Sequence, residues 1–243
     1  VFEHDTEQVP NTPRTLAELE DWILANPGRF TYPQPPDYLG TTFLKQVLYG
    51  VMVDPTLLQS PVDEAAYDAQ VAPLWAWLDR VHPALWRKAK AFPQNEPALG
   101  QLLADGEIQI SFSFNPGRAS AEIAAGTLPG TVRSFVLKGG TIGNASFVAI
   151  PFNAAHQAGA KVIANLLLDP EVQARAQDPA VLGFQTVLNI SALTETDRAR
   201  FEALDLGPAT LSPADLGPVL LEPHASWMTR IAQDWTARYG VAQ

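Results

Sequence analysis

The sequence contains no cysteine. Disulfides, thiolate nucleophiles and cysteine-based zinc sites are therefore excluded, while both a reducing compartment and an exported chain that needs no staple remain compatible. Charge is sparse, at 17% of residues, and acidic groups outnumber basic ones to give a net charge of −10. That sign argues against a nucleic-acid phosphate backbone as partner, and the scattering of the acidic residues reads as a solvated surface. Long apolar runs are missing too. Val162 to Leu168 is the longest candidate, is interrupted by Asn165, and falls far short of the ~20 residues that cross a bilayer. The four histidines, His4, His82, His156 and His224, sit in no metal-ligating spacing such as HExxH, so no metal or other cofactor is expected. There is no GxSxG elbow, and KGGTIGN at 138–144 fits neither GxGxxG nor the Walker pattern. Its glycines read as backbone freedom at a crossing between lobes. The chain opens on Val1 with neither a basic n-region nor an apolar h-region, and the expectation is that a leader was removed or the chain was cut from something longer.

What is present is a folded composition: 243 residues, 47% of them apolar, enough for one large domain or two small ones. Thr15 with Glu18 makes a capping box ahead of the helical face Leu16, Leu19, Trp22 and Ile23. FTYPQPPDYLGTTF, residues 30 to 43, predicts a strand end, a stiff proline connection, and a helix capped by Thr41 or Thr42 that runs from about Thr42 to Tyr49. Such a junction leaves backbone N–H groups at the sheet's rim for an anion or polar ligand. Helices are expected at about 64–80, 85–91, 96–104, 155–176, 195–204, 213–216 and 227–239. EIQISFSFNPG alternates, so Ile108, Ile110, Phe112 and Phe114 share one strand face. RSFVLKGG and ASFVAIPFNA read as further strands, and Val162, Ile163, Leu166 and Leu167 as an inward helical stripe. Trp75, Trp77 and Trp86 fit buried packing better than a ligand platform. Strands alternating with helices indicate an α/β class with a mixed sheet flanked by helices. Asn115 ends one strand and Asn144 a flexible link, so with residues 30–43 three loops bring small polar residues to strand ends, where pockets of open α/β sheets form.

GTIGNASFVAIPFNAAHQAGAKVIANLLLDPEVQARA, with RFTYPQPPDYLGTTFLKQVLYG, ADGEIQISFSFNPG and EPHASWMTRIAQDWTARYG, resembles the periplasmic solute-binding proteins of ABC transporters, in their YnjB-like branch. The resemblance covers nearly the whole chain. It implies a type 2 periplasmic-binding fold, in which two α/β lobes joined by hinge-crossing strands close on a solute held non-covalently in the cleft, with no catalysis. On that pattern residues 1–5 are a hinge strand and 6–138 the first part of the second lobe. Residues 139–180 cross the hinge and return to the N-terminal lobe, and 181–243 supply the C-terminal helices of the second lobe. Most of the N-terminal lobe is then absent from this chain, the returning helix lacks most of its sheet and exposes apolar surface, and a separate N-terminal piece or a swapped copy completes the fold. The implied ligand contacts are Tyr38, Thr41 and Thr42 at the helix start, Phe114 and Asn115 at the strand end, and Asn144 and Ser146 beside the crossing. These positions lack the carboxylates of polyamine-binding relatives, which suits a neutral, anionic or aromatic organic solute. The implied partners are a small-molecule solute and a membrane permease, and the implied location is the periplasm. Two other readings are a hydrolase using Ser226 with His224, and a cleft-fold sensor domain; a base, an orienting carboxylate and an oxyanion hole would mark the first.

Overall fold

A computed structural model describes residues 1–143, 145–212 and 215–240. They form a mixed α/β structure that divides into two units. The first comprises residues 1–114, 131–143 and the described part of 211–243, and the second comprises residues 115–130 and the described part of 144–210.

The first unit is built on β1 (Phe2–Asp5), the middle strand of an antiparallel sheet between β2 (Ile110–Phe112) and β3 (Val132–Phe135). The register pairs Phe2 with Phe112 and Phe135, and Glu3 with Ser111 and Ser134. Alternation along a strand then puts Phe112, Phe2 and Phe135 on one face, where their ring centroids lie 5.8 and 5.2 Å apart, and puts the buried Glu3 between two serines on the other. Phe30 adds an isolated parallel bridge to Ile110. A second small sheet pairs β4 (Thr141–Ile142) with β5 (Val219–Leu220) in parallel, an element with no strong sequence signal because each strand has two residues.

Helices cover these sheets. α1 (Leu16–Ala25) starts as expected, with Thr15 accepting from the Glu18 N–H and Glu18 accepting from the Arg14 N–H. α2 (Tyr38–Val51) begins earlier than expected. The cap is neither Thr41 nor Thr42 but Asp37, whose carboxylate accepts from the Gly40 N–H at 3.0 Å; a carboxylate at the positive end of a helix outcompetes a hydroxyl one turn later. α3 (Tyr67–Val81) and α4 (Glu96–Ala104) follow. Between them the expected helix at 85–91 is replaced by two short 3-10 turns, and Arg87, Lys88 and Ala89 take positive φ, which an α-helix cannot accommodate. α9 (Ala225–Tyr239) closes the unit. Trp75 and Trp77 are buried, as packing predicts, but Trp86 is only half-buried, its indole donating to Glu107 at 2.8 Å.

Beneath α9 lies a buried polar chain. The Trp235 indole donates to the Tyr32 hydroxyl at 2.8 Å, and that hydroxyl lies 2.7 Å from His82 Nε2. Burial holds the His82 pKa down to about 4, against a partial opposing pull from Asp79.

The second unit contains α5 (Arg118–Ala124), α6 (Gln157–Leu166), α7 (Pro170–Gln177) and α8 (Glu195–Glu202). One helix was expected over 155–176. Asp169 instead caps a new start with Pro170 in its first turn, as the missing proline N–H and fixed φ favour. ASFVAIPFNA forms no strand among the described residues. Phe147 and Phe152 are 89% and 94% exposed, and the stripe expected to face inward is exposed from Val162 (67%) through Leu167. A strand exists only against a neighbour, and an apolar helix face turns inward only against a core. The expected turn at 213–216 falls partly outside the described residues.

His82 has a lower pKa folded than unfolded, so between pH 6.5 and about 4 the unfolded chain binds the extra proton. Stability is expected to fall as pH drops through that window, by about 3 kcal/mol at most. Urea titrations at several pH values should show this slope, and His82→Gln should flatten it; an equal slope in the variant would contradict the account.

Candidate functional site

The strand expected at 30–32 reduces to the single bridge of Phe30, and the proline segment after it folds back on the first turn of α2. A Cβ on Gly40 would lie 1.9 Å from the Pro33 carbonyl oxygen, so only glycine permits this approach. From there α2 presents two faces. Phe43, Leu44, Val47 and Leu48 go into the core, and Phe43 stacks on Phe112 at 5.1 Å. Leu39, Thr42 and Gln46, spaced by one turn each, form the wall of a pocket completed by Phe2, Phe112, Ser113, Phe114, Thr141 and Ile142, with Val1 at its edge. The cavity itself is small, about 70 Å³, and opens to solvent, so it is room for one group of a ligand rather than a closed chamber.

The lining is apolar and aromatic, and no charged side chain takes part in it. Its polar groups are mostly committed within the protein. The Gln46 amide donates to the Gly140 carbonyl and accepts from the Ile142 N–H, both at 3.0 Å, and so holds β4 as the floor. The Ser113 hydroxyl donates to Glu96 at 2.5 Å. Val1 and Ser113 exchange main-chain bonds in both directions at 2.9 Å. The Thr42 hydroxyl differs, being buried with no hydrogen-bond partner, which is the state of a group that awaits one.

The structure brings Tyr38, Thr42 and Phe114 together on the first unit. Tyr38 and Phe114 have ring centroids 5.2 Å apart and remain 41% and 44% exposed. Phe114, expected to continue the inward face of β2, lies beyond the strand end and so escapes its core. Thr41 is fully buried, and its hydroxyl donates to the Asp37 carbonyl at 2.8 Å, inside the first turn. Asn115 belongs to the second unit, where its side chain accepts from the Gly117 N–H and donates to the Leu182 carbonyl, both at 2.9 Å. Ser146 is exposed on the second unit. Asn144 lies outside the described residues. The N–H groups expected to greet an anion at the rim are met by Asp37 itself, through its carboxylate to Gly40 and its carbonyl to Thr41.

Sequence reasoning missed Lys45. Its side chain is fully buried, pairs with Glu222, and places its ammonium 5.0 Å from the Tyr38 ring centre. The available signal was spacing: Lys45 stands seven residues after Tyr38 and four after Thr41, on one helical stripe. The pair ties the 219–224 segment to α2 behind the aromatic rings. The other paired residues of that segment, His224 and Ser226, are 2.9 Å apart. The histidine Nδ1 also accepts from the Ser226 N–H as the cap of α9, and Ser226 Oγ accepts from the Val62 N–H. Among the described residues no carboxylate orients His224, so the geometry is that of a helix start.

Residues 1–198 match the model of a family described as bacterial extracellular solute-binding protein. The chain is also 44% identical over 235 residues, 97% of its length, to Protein YnjB of Escherichia coli (strain K12), and spans 58% of that relative. The chain belongs to the bacterial extracellular solute-binding protein family.

Glu222→Gln leaves the Lys45 ammonium buried without a counter-charge. A loss of about 2 kcal/mol is expected, at the low end for such pairs because Glu222 is partly exposed. Lys45→Met combined with Glu222→Gln should recover much of it, since the uncompensated charge is then gone. Denaturant unfolding of the single and double variants decides this, and equal losses in both would contradict it.

Proposed function

We propose that this chain is the ligand-holding part of the solute-binding component of an ABC importer. It binds a small organic solute non-covalently and hands it to a membrane permease from the periplasmic side. The observation that carries this reading is the family match over residues 1–198. The pocket beneath α2 supports it, being concave, preformed and lined by rings, with one unpartnered hydroxyl and no assembled catalytic group.

The pocket is one wall of the binding cleft in a type 2 periplasmic-binding fold, with Tyr38, Thr42 and Phe114 touching the solute. Asn115, Asn144 and Ser146 contribute from the strand end and the crossing. The rest of the cleft comes from a further lobe of the longer protein. Two facts favour that completion: the relative is longer than the chain, and residues 147–168 carry apolar side chains left in water, which a packed lobe would cover.

Phe114→Ala in the full-length protein is expected to weaken binding of the co-purifying solute about tenfold, through lost ring contact worth ~1–1.5 kcal/mol. The melting temperature should change little, because the ring is half exposed. Native mass spectrometry identifies the solute and calorimetry gives the affinity. Import of that solute should also stop in cells that lack the protein. Unchanged uptake, together with no solute retained by the pure protein, would end the transport reading.

A further inference from the structure

We propose that the solute presents an uncharged, planar apolar group to this pocket, with one hydrogen-bonding substituent directed at Thr42. The inference rests on the transport reading above and narrows it to a ligand class.

Charge provides the first support. An ion entering the pocket would leave water and need a partner on arrival. For a cation, no carboxylate lines the cavity; Glu96, the acid behind Ser113, is already accepting from that serine. For an anion, the start of α2 would be the natural receiver, but Asp37 occupies it. Lys45, the buried cation nearby, is matched by Glu222. The side chains that carry charge around α2 are thus engaged within the protein, and no charged side chain lines the cavity.

Shape provides the second. Phe43 and Phe112 stack within the lining, and Phe114 packs against Tyr38. Aromatic walls favour flat groups, which gain contact over a whole face. Polarity provides the third. The amide of Gln46 is held on both sides by main chain, whereas the Thr42 hydroxyl has no partner. One donor or acceptor on the solute satisfies it, and a solute without one leaves it unpaired.

The test uses three flat probes of one shape, benzamide, benzoate and benzamidinium, with saturation-transfer NMR on the full-length protein. Benzamide should bind through its ring protons, and both ions should bind at least about tenfold more weakly. Phe114→Ala should weaken benzamide about tenfold. Thr42→Val should weaken benzamide several-fold while leaving toluene unchanged. Benzoate or benzamidinium binding as well as benzamide would overturn the class, as would no binding by any of the three. Benzamide binding that ignores both substitutions would overturn the location. A co-purifying solute whose import depends on the protein, found alongside any of these failures, would show that the class is wrong while transport stands. Absence of solute and of import dependence would instead show that the transport reading itself fails.

Discussion

The seat of α2 against its own proline approach is the contact from which the site follows. The Pro33 carbonyl and the Gly40 Cα meet so closely that no side chain fits between them, and the Asp37 cap fixes where the helix begins. Once the start is set, the helical period decides the rest. One stripe carries Phe43, Leu44, Val47 and Leu48 into the core, and the next carries Leu39, Thr42 and Gln46 to the pocket. Shifting the start by a single residue rotates every one of these positions by ~100°. The extended, proline-rich approach limits that freedom before the helix forms.

Electrostatics around the site follow the same economy. Three ionic groups near α2 have partners within the protein: Asp37 at the helix end, Lys45 with Glu222, and Glu96 with a serine hydroxyl. Buried charges demand such partners, because leaving one unpaired costs several kcal/mol. The cavity is mainly apolar, with no charged side chain in its lining, in a chain whose net charge is strongly negative. Surface charge and site charge are therefore independent, and the first says little about what the second accepts.

Much of this was legible in the residues, and the rest was hidden for identifiable reasons. Thr15 and Glu18 announced α1 because a capping box is local chemistry. The mixed α/β class was legible from alternating periods. The cap of α2 was misassigned because three polar residues, Asp37, Thr41 and Thr42, compete within six positions, and only the backbone path shows which one meets an open N–H. The strand expected at 145–154 and the inward stripe of α6 fail for a different reason, and the apolar exposure that the resemblance implied for a returning segment without its sheet is what the structure has. Both patterns are real, but each needs a neighbouring surface, and among the described residues none is supplied. Tyr38, Thr42 and Phe114 were singled out by resemblance to a family; Thr42 and Phe114 line the pocket and Tyr38 packs on Phe114. Lys45 stayed hidden because its partner, Glu222, is 177 residues away, and no local pattern reaches so far.

The central claim is that a small molecule rests against α2 and the end of β2. A structure of the full-length protein with its co-purified solute tests it most directly. The account places solute atoms in van der Waals contact with Phe114 and Leu39 and within hydrogen-bond distance of the Thr42 hydroxyl. A solute that touches no residue of α2 would contradict it.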